Sequence, residues 1–165
     1  MKVYHGGLEE VRNPEIRRGT NVGDFGIGFY VTSSFEQACR FVKTKGNRLD
    51  KDKGIVSVYE LDERLLFGSQ FKGKTFESPT REWADFVSAN RKCPSFSHDL
   101  DYVRGPVAND QVYTSLTLYE GGIISFEMLI ERLKTRRLFD QILFHTEEAL
   151  ACLSFQRSEE VVWQK

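Results

Sequence analysis

Apolar residues occur along the chain in short runs that are separated by polar residues and glycines. Runs rich in Val, Ile, Phe and Tyr are typical of β-strands. Six such runs are predicted as strands: Lys2–His5, Gly28–Thr32, Ile55–Leu61, Val112–Tyr119, Gln141–His145 and Glu160–Trp163. The polar segment 43–54 mixes both charge signs and contains two glycines, which predicts an exposed loop.

Helical spacing appears in three places. Ser33 and Glu36 fit a capping box at the start of the first helix. The apolar stripe that follows, at positions i, i+3, i+4 and i+7, consists of Phe35, Ala38, Cys39 and Val42. Ser78 followed by Pro79 predicts a second helix start, and Ser125 predicts a third. Strands outnumber helices without strict alternation, so the pattern favours an α+β domain over a doubly wound parallel sheet.

Phe41 lies on the first predicted helix but outside its apolar stripe. At 100° per residue, it is turned about 100° away from the direction of the stripe. Such an aromatic side chain either packs against a second neighbour or forms one wall of a pocket. The periodicity leaves both interpretations open.

Length and charge narrow the functional classes. A chain of 165 residues predicts one domain over residues 1–165. Its 23 Lys and Arg against 24 Asp and Glu give a net charge of -1, with the signs mixed, which argues against binding duplex nucleic acid through a basic face. The apolar runs are short and none follows the first residues, so we expect neither a membrane span nor a signal peptide.

The cysteines and histidines give little indication of a metal site. Cys39, Cys93 and Cys152 are widely spaced and form no C-x-x-C pair, which disfavours a disulfide framework or structural zinc and makes a reducing cytoplasm the expected compartment. The segment Ser97–Asp101 has one His and two carboxylates but no second His nearby, so a polar loop is preferred and no metal is predicted. His145 shares one face of its predicted strand with Leu143 and Gln141, so it lies either near the pocket or in the core with its hydrogen bonds satisfied, and the core is favoured.

Two glycines stand directly before the second predicted strand. Gly26 and Gly28 allow a close approach of the backbone. They do not form a dinucleotide-binding fingerprint, because they precede the strand and no third glycine opens a helix. By spacing alone, a hairpin turn is the better interpretation.

Several of these residues together resemble a known family of enzymes. The segment Tyr4–Gly6, the strand Gly28–Thr32, and Phe41 eleven positions after Tyr30 resemble the His-Tyr-Glu class of ADP-ribosyltransferases. That class includes diphtheria-toxin-like enzymes and poly-ADP-ribose polymerases, and Phe25–Gly28 also resembles the latter. The similarity covers roughly residues 3–60 and 138–155. The segments 105–110 and 141–150 are similar to a family of small uncharacterised bacterial proteins.

The resemblance implies a fold, a substrate and a set of roles. The fold would be an α+β split β-sandwich with a few flanking helices, and the substrate would be NAD⁺. His5 would bind the adenosine ribose, and the backbone of Gly6 would hold the nicotinamide carboxamide. Tyr30 and Phe41 would sandwich the nicotinamide ring, whose positive charge favours aromatic faces. The implied reaction cleaves the nicotinamide–ribose bond and passes ADP-ribose to a protein, a nucleic acid or water, as a toxin-like enzyme restrained by an inhibitory partner would.

The chain departs from the class at its most important position. Gln141 stands where the class has its catalytic glutamate, so the hydrogen bonding is kept but the negative charge is lost. Asp140 would point to the opposite face of the strand, which makes Asp110 the first candidate for a substitute carboxylate. Asn109 and Asp110 also suit an ordinary turn. The alternative to an enzyme is a catalytically silent module that binds NAD⁺ or ADP-ribose.

Overall fold

Two β-sheets form the centre of the computed structural model, which describes residues 1–18, 22–93, 95–108, 110–134 and 138–164. Its seven strands within those residues are β1 (Lys2–Gly7), β2 (Phe29–Val31), β3 (Lys53–Leu61), β4 (Gly73–Thr75), β5 (Tyr102–Pro106), β6 (Asp140–Phe144) and β7 (Leu153–Val162). The first sheet has the antiparallel order β1-β3-β7. The second has the order β2-β6-β5-β4, with only the β4–β5 pair parallel.

Six helices in the described residues flank the sheets. They are α1 (Phe35–Arg48), α2 (Glu63–Leu66), α3 (Arg81–Lys92), α4 (Asp110–Glu120), α5 (Phe126–Lys134) and α6 (Glu147–Leu150). The molecule is therefore of mixed α+β class, as predicted. Among these helices, none combines the length and the apolar character needed to cross a bilayer.

A shared apolar cluster joins the two sheets. Val3 and Tyr59 of the first sheet pack with Phe29, Ile142 and Phe144 of the second. The sheets also meet through the backbone, because Tyr4 and Thr32 exchange two N–H to O hydrogen bonds of 2.8 and 2.9 Å. This bridge brings the middle of β1 beside the end of β2.

Helices cover the outer faces of both sheets. Ala38 and Val42 of α1 pack with Val56 and Trp163 on the first sheet. On the second sheet, a larger cluster combines strand residues with residues of α3, α4 and α5: Val103, Leu143, Trp83, Val87, Val112, Leu116, Leu129 and Leu133. The site described below lies where the β1–β2 junction meets this second layer.

The predicted strand over Val112–Tyr119 was wrong, because these residues belong to α4. Val112 and Leu116, four residues apart, are both fully buried, which is the spacing of one helix face. The hydroxyls of Ser115 and Thr117 donate to the carbonyls four residues earlier, so a helix satisfies them. Burial against α3 and α5 outweighs the β-propensity of Val, Tyr and Thr.

The predicted loop 43–54 was wrong at both ends, because helix α1 continues to Arg48 and strand β3 begins at Lys53. Near the end of α1, Gly46 lets the Trp163 ring pack against the helix: a Cβ there would lie 2.3 Å from Cζ2 of the ring. Strand β7 begins at Leu153, seven residues before the predicted start at Glu160. Strands β4 and β5 were not predicted at all.

Two of the three predicted caps are displaced. Ser34, not Ser33, caps α1, and its hydroxyl accepts a hydrogen bond from the Gln37 N–H. Thr80 caps α3 in place of Ser78. The prediction for Ser125 is confirmed, because its Oγ accepts the Met128 N–H at 3.2 Å.

Candidate functional site

A turn before β2 folds over the ring of Tyr30. The Tyr30 hydroxyl donates to the Gly26 carbonyl at 2.6 Å and accepts the Phe25 N–H at 3.1 Å. The turn is closed by a hydrogen bond from the Gly26 N–H to the Gly23 carbonyl. Burial raises the pKa of Tyr30 well above its usual value, so this hydroxyl stays protonated and serves as a hydrogen-bonding group.

The predicted close approach of the backbone occurs at Gly28. A Cβ at this residue would lie 2.2 Å from the Phe144 carbonyl oxygen and 2.3 Å from Leu143 Cδ1. Only glycine leaves space for β6 at this distance. The start of β2 is thereby held tightly against the strand that carries Gln141.

His5 lies at the junction of the two sheets. Its ring stacks on Phe29 with centroids 4.3 Å apart, and Nδ1 is 2.7 Å from the Tyr30 carbonyl oxygen. Because a carbonyl only accepts, Nδ1 carries the proton and Nε2 is left as an acceptor. Burial lowers the pKa of His5, with a smaller contribution from Lys45, which favours this neutral form.

Gly6 is buried beside His5, and one edge of its backbone has no hydrogen-bond partner among the described residues. Tyr4 directs its N–H and C=O to Thr32, so by the alternation of an antiparallel strand Gly6 directs its own pair to the same side. The neighbouring chain leaves this side after Thr32 to enter α1. No described residue pairs with the Gly6 edge, which offers one donor and one acceptor to a ligand.

Gly6 also allows α1 to pack closely, which leads to a stability prediction. A Cβ at Gly6 would lie 2.6 Å from the Ala38 carbonyl oxygen and 2.8 Å from Val42 Cγ2, whereas one at Gly7 would have its nearest contact at 3.4 Å. We expect Gly6→Ala to lower the free energy of unfolding by about 2 kcal/mol, the cost of overpacking. Gly7→Ala is the matched control and should cost much less in urea unfolding. Equal losses in the two variants would contradict this packing argument.

Gln141 lies on β6 and is hydrogen bonded to a carboxylate that sequence reasoning missed. Its Nε2 donates to Asp24 Oδ2 at 2.7 Å, and the Pro106 carbonyl oxygen is 3.5 Å from the same nitrogen. Asp24 is only 5% exposed. The one signal in the sequence was an acidic residue inside the otherwise apolar and glycine-rich segment before β2.

Asp24 receives hydrogen bonds from three separate elements. Its Oδ1 accepts from Nε of Arg91 at 2.8 Å and also from Nη2 of the same side chain. Its Oδ2 accepts the Ala108 N–H at 2.8 Å in addition to the Gln141 amide. Arg91 lies over the Tyr113 ring, 4.2 Å from its centroid. The carboxylate therefore connects the turn before β2 to α3, to the segment that follows β5 and to Gln141 on β6.

Hydrogen bonds link three of the predicted site residues, His5, Tyr30 and Gln141, and Phe41 takes no part in this group. Asp140 faces away from Gln141, as predicted, and its Oδ1 accepts from the Ser33 N–H and hydroxyl. Phe41 lies on α1 with 51% of its side chain exposed, outside the hydrogen-bonded group of His5, Tyr30 and Gln141. Asp110 begins α4, but its side chain lies outside the described part of the structure, as does Asn109 entirely.

Comparison with known proteins gives a family and no characterised relative. Residues 1–155 match the model of a family described as "Protein of unknown function (DUF3990)". The chain belongs to the DUF3990 family. No curated protein and no solved structure matches the chain.

All three histidines of this DUF3990 chain bind backbone carbonyls between Phe25 and Tyr30. Besides His5, His98 Nε2 is 2.7 Å from the Phe25 oxygen and His145 Nδ1 is 2.6 Å from the Ile27 oxygen. The rings of His98 and His145 lie 4.5 Å apart. His145 is thus half-buried and hydrogen bonded to the segment Phe25–Tyr30, rather than the core histidine that the sequence predicted.

These contacts predict a pH dependence of stability. Burial is the main cause that lowers the pKa of His5 and of His98, with His145 adding to the effect on His98 and Asp99 opposing it. The unfolded chain, with histidine pKa values of about 6.5, then binds protons more readily than the folded DUF3990 domain. The free energy of unfolding should fall as the pH drops below about 6.5 towards the lowered values, and stay level above about 7.

Urea unfolding between pH 7.5 and 5.5 measures this dependence. His98→Gln retains a side-chain donor for Phe25 but cannot titrate, so it should flatten the pH dependence relative to the natural chain. A dependence that is equally steep in this variant would show that His98 does not contribute.

Proposed function

We propose that this DUF3990 chain is an NAD⁺-dependent ADP-ribosyltransferase with the split β-sandwich of that class. The supporting observation is the position of Tyr30 between the other two residues of the His-Tyr-Glu pattern. His5 hydrogen bonds its carbonyl, and its hydroxyl contacts the turn whose Asp24 binds Gln141. Residues far apart in sequence are thus joined at one end of the second sheet.

The groups around Tyr30 have the chemistry that NAD⁺ requires. The N–H and C=O of Gly6, which no described residue pairs with, match the acceptor and donor of a primary carboxamide. His5 Nε2 can accept from a ribose hydroxyl, because Nδ1 is occupied by Tyr30. The half-exposed ring of Phe41 can cover the cationic nicotinamide ring, an attraction worth up to about 2 kcal/mol when desolvated.

The proposed reaction breaks the bond between the ribose C1′ and the nicotinamide nitrogen. The bonding electron pair leaves with nicotinamide, positive charge develops on the ribose, and a nucleophile bonds C1′ and loses its proton. Gln141 Oε1 accepts from the ribose 2′-hydroxyl. The acceptor is water or a nucleophilic group on a protein or nucleic acid, and an inhibitory partner protein would restrain the activity in the cell.

One observation favours the alternative, a silent module that binds NAD⁺ or ADP-ribose. The amide of Gln141 carries no charge and is already hydrogen bonded to Asp24. Nicotinamide release separates the two functions, because a binding module retains affinity and forms no product.

We expect NAD⁺ to raise the melting temperature of the protein. A ligand that binds only the folded state stabilises it by about 2.7 kcal/mol at a hundredfold excess over Kd. His5→Ala and Tyr30→Ala should each remove most of the shift, measured against each variant's own melting temperature without NAD⁺. Tyr119→Ala is the matched control, since this tyrosine contacts Arg81 away from the site, and it should keep the shift. An unchanged melting temperature of the natural protein in millimolar NAD⁺ would contradict the proposal.

A further inference from the structure

We propose that Asp24 is a positioning residue that orients the amide of Gln141 and supplies the negative charge that this glutamine lacks. The inference rests on the proposed function for its catalytic consequence. Its structural part depends only on contacts of the described residues. Asp24 is too deeply buried to touch a substrate, so it acts through Gln141.

The contacts of Asp24 are those of an ionised carboxylate. Four N–H groups, from Arg91, Ala108 and Gln141, are directed at its two oxygens, and both oxygens act as acceptors. A carboxylate offers no donor, so the Gln141 side chain must present its NH₂ group to Asp24. The Pro106 carbonyl on the same side adds a second acceptor and disfavours the flipped amide.

This arrangement directs Oε1 of Gln141 away from Asp24. No donor among the described residues is directed at this oxygen. A free amide would present its oxygen or its nitrogen to a ligand with similar ease. Bound to Asp24, it presents an acceptor, which is what a ribose hydroxyl needs.

Arg91 and Gln141 bind different oxygens of the Asp24 carboxylate. Arg91 binds Oδ1, and Gln141 binds Oδ2, so the ion pair has its negative end towards Gln141 and its positive end towards α3. The Arg91 guanidinium also lies over the Tyr113 ring. Negative charge thus lies one hydrogen bond from Nε2 of the Gln141 amide, where it would stabilise positive charge that develops on a ribose bound at Oε1.

The orientation can be tested on the natural protein without any activity. In a ¹⁵N-labelled sample, the side-chain NH₂ of Gln141 should exchange with water at least tenfold more slowly than that of Gln156, which lies exposed on β7 and has only a solvent-accessible hydrogen bond of 3.2 Å to the Ser154 carbonyl. Asp24→Asn should remove this protection, because two NH₂ groups would then face each other. Equal exchange of Gln141 and Gln156 in the natural protein would overturn the positioning role.

The catalytic part is tested by steady-state nicotinamide release from NAD⁺. We expect Asp24→Asn to lower kcat by about tenfold with KM changed less than threefold, because the lost charge acts on the transition state. Asp101→Asn is the control: Asp101 accepts from Lys72 and Thr146 outside the site, so kcat should not change. An active natural protein with kcat unaffected by Asp24→Asn overturns the inference and leaves the proposed function standing. Absence of nicotinamide release from the natural protein overturns the proposed function, and the catalytic role of Asp24 with it.

Discussion

Replacing Asp24 by alanine is expected to lower the free energy of unfolding by about 3 kcal/mol, the largest loss for any single site residue. The substitution leaves the Arg91 guanidinium without its counter-ion and the Ala108 N–H and Gln141 amide without their acceptor. Breaking a buried ion pair from one side costs about 3–5 kcal/mol, and Arg91, with 24% of its side chain exposed, recovers part of this from water. Chemical unfolding monitored by tryptophan fluorescence measures the loss.

A double-mutant cycle separates the ion pair from other effects of the substitution. Arg91→Met removes the charge but keeps most of the apolar length of the side chain. Asp24→Ala in that background should cost at least about 1 kcal/mol less than in the natural chain. Asp99→Ala is the matched control, because the Lys72–Asp99 pair is exposed to solvent and its loss should change the stability far less than Asp24→Ala does. Additive losses at Asp24 and Arg91 would show that the pair is not coupled.

Local sequence patterns predicted the parts of the fold that local interactions decide. Strands β1, β2, β3 and β6 were found from their apolar residues, and the close approach at Gly28 was found from its position before β2. The opposite orientation of Asp140 and Gln141 follows from the alternation of a strand and is confirmed. Helix α4 was predicted as a strand because its Val, Tyr and Thr residues favour strands, and only packing against α3 and α5 makes it helical.

The candidate site was only partly predictable, because its central carboxylate depends on distant partners. Asp24 binds Arg91, Ala108 and Gln141, which are 67, 84 and 117 residues away in the sequence. No spacing rule relates residues at such distances, and the family resemblance assigned no role to position 24. Sequence reasoning recognised that a carboxylate was needed near Gln141 and proposed Asp110, whose side chain the structure does not describe.

The position of Asp24 changes what we expect from restoring the glutamate of the class. In Gln141→Glu, the new carboxylate would meet Asp24 at the 2.7 Å separation that the amide now occupies. Two carboxylates at that distance cannot both be ionised without a large cost, so one binds a proton and its pKa rises. The stability of this variant should therefore fall as the pH rises through that raised pKa, whereas the natural chain stays level above about pH 7.

The rate of nicotinamide release should depend on the total charge that residues 24 and 141 carry. At neutral pH the introduced carboxyl group and Asp24 would together carry one negative charge and one proton. The natural Gln141–Asp24 pair also carries one negative charge, so we expect Gln141→Glu alone to change kcat less than threefold. A large gain in this single variant would instead mean that Asp24 contributes no charge at the reacting ribose.

The double variant Asp24→Asn with Gln141→Glu should transfer the negative charge from position 24 to position 141, next to the proposed ribose. In this variant the introduced asparagine amide donates to the introduced glutamate, which then stays ionised at neutral pH. We expect kcat to rise about tenfold over the natural protein, or about 1.4 kcal/mol at the transition state. The Ala108 N–H would face the new amide, so some stability is lost, and each kcat is measured well below that variant's melting temperature. If kcat of the double variant does not exceed that of the natural protein, the position of the charge at the ribose does not limit the reaction.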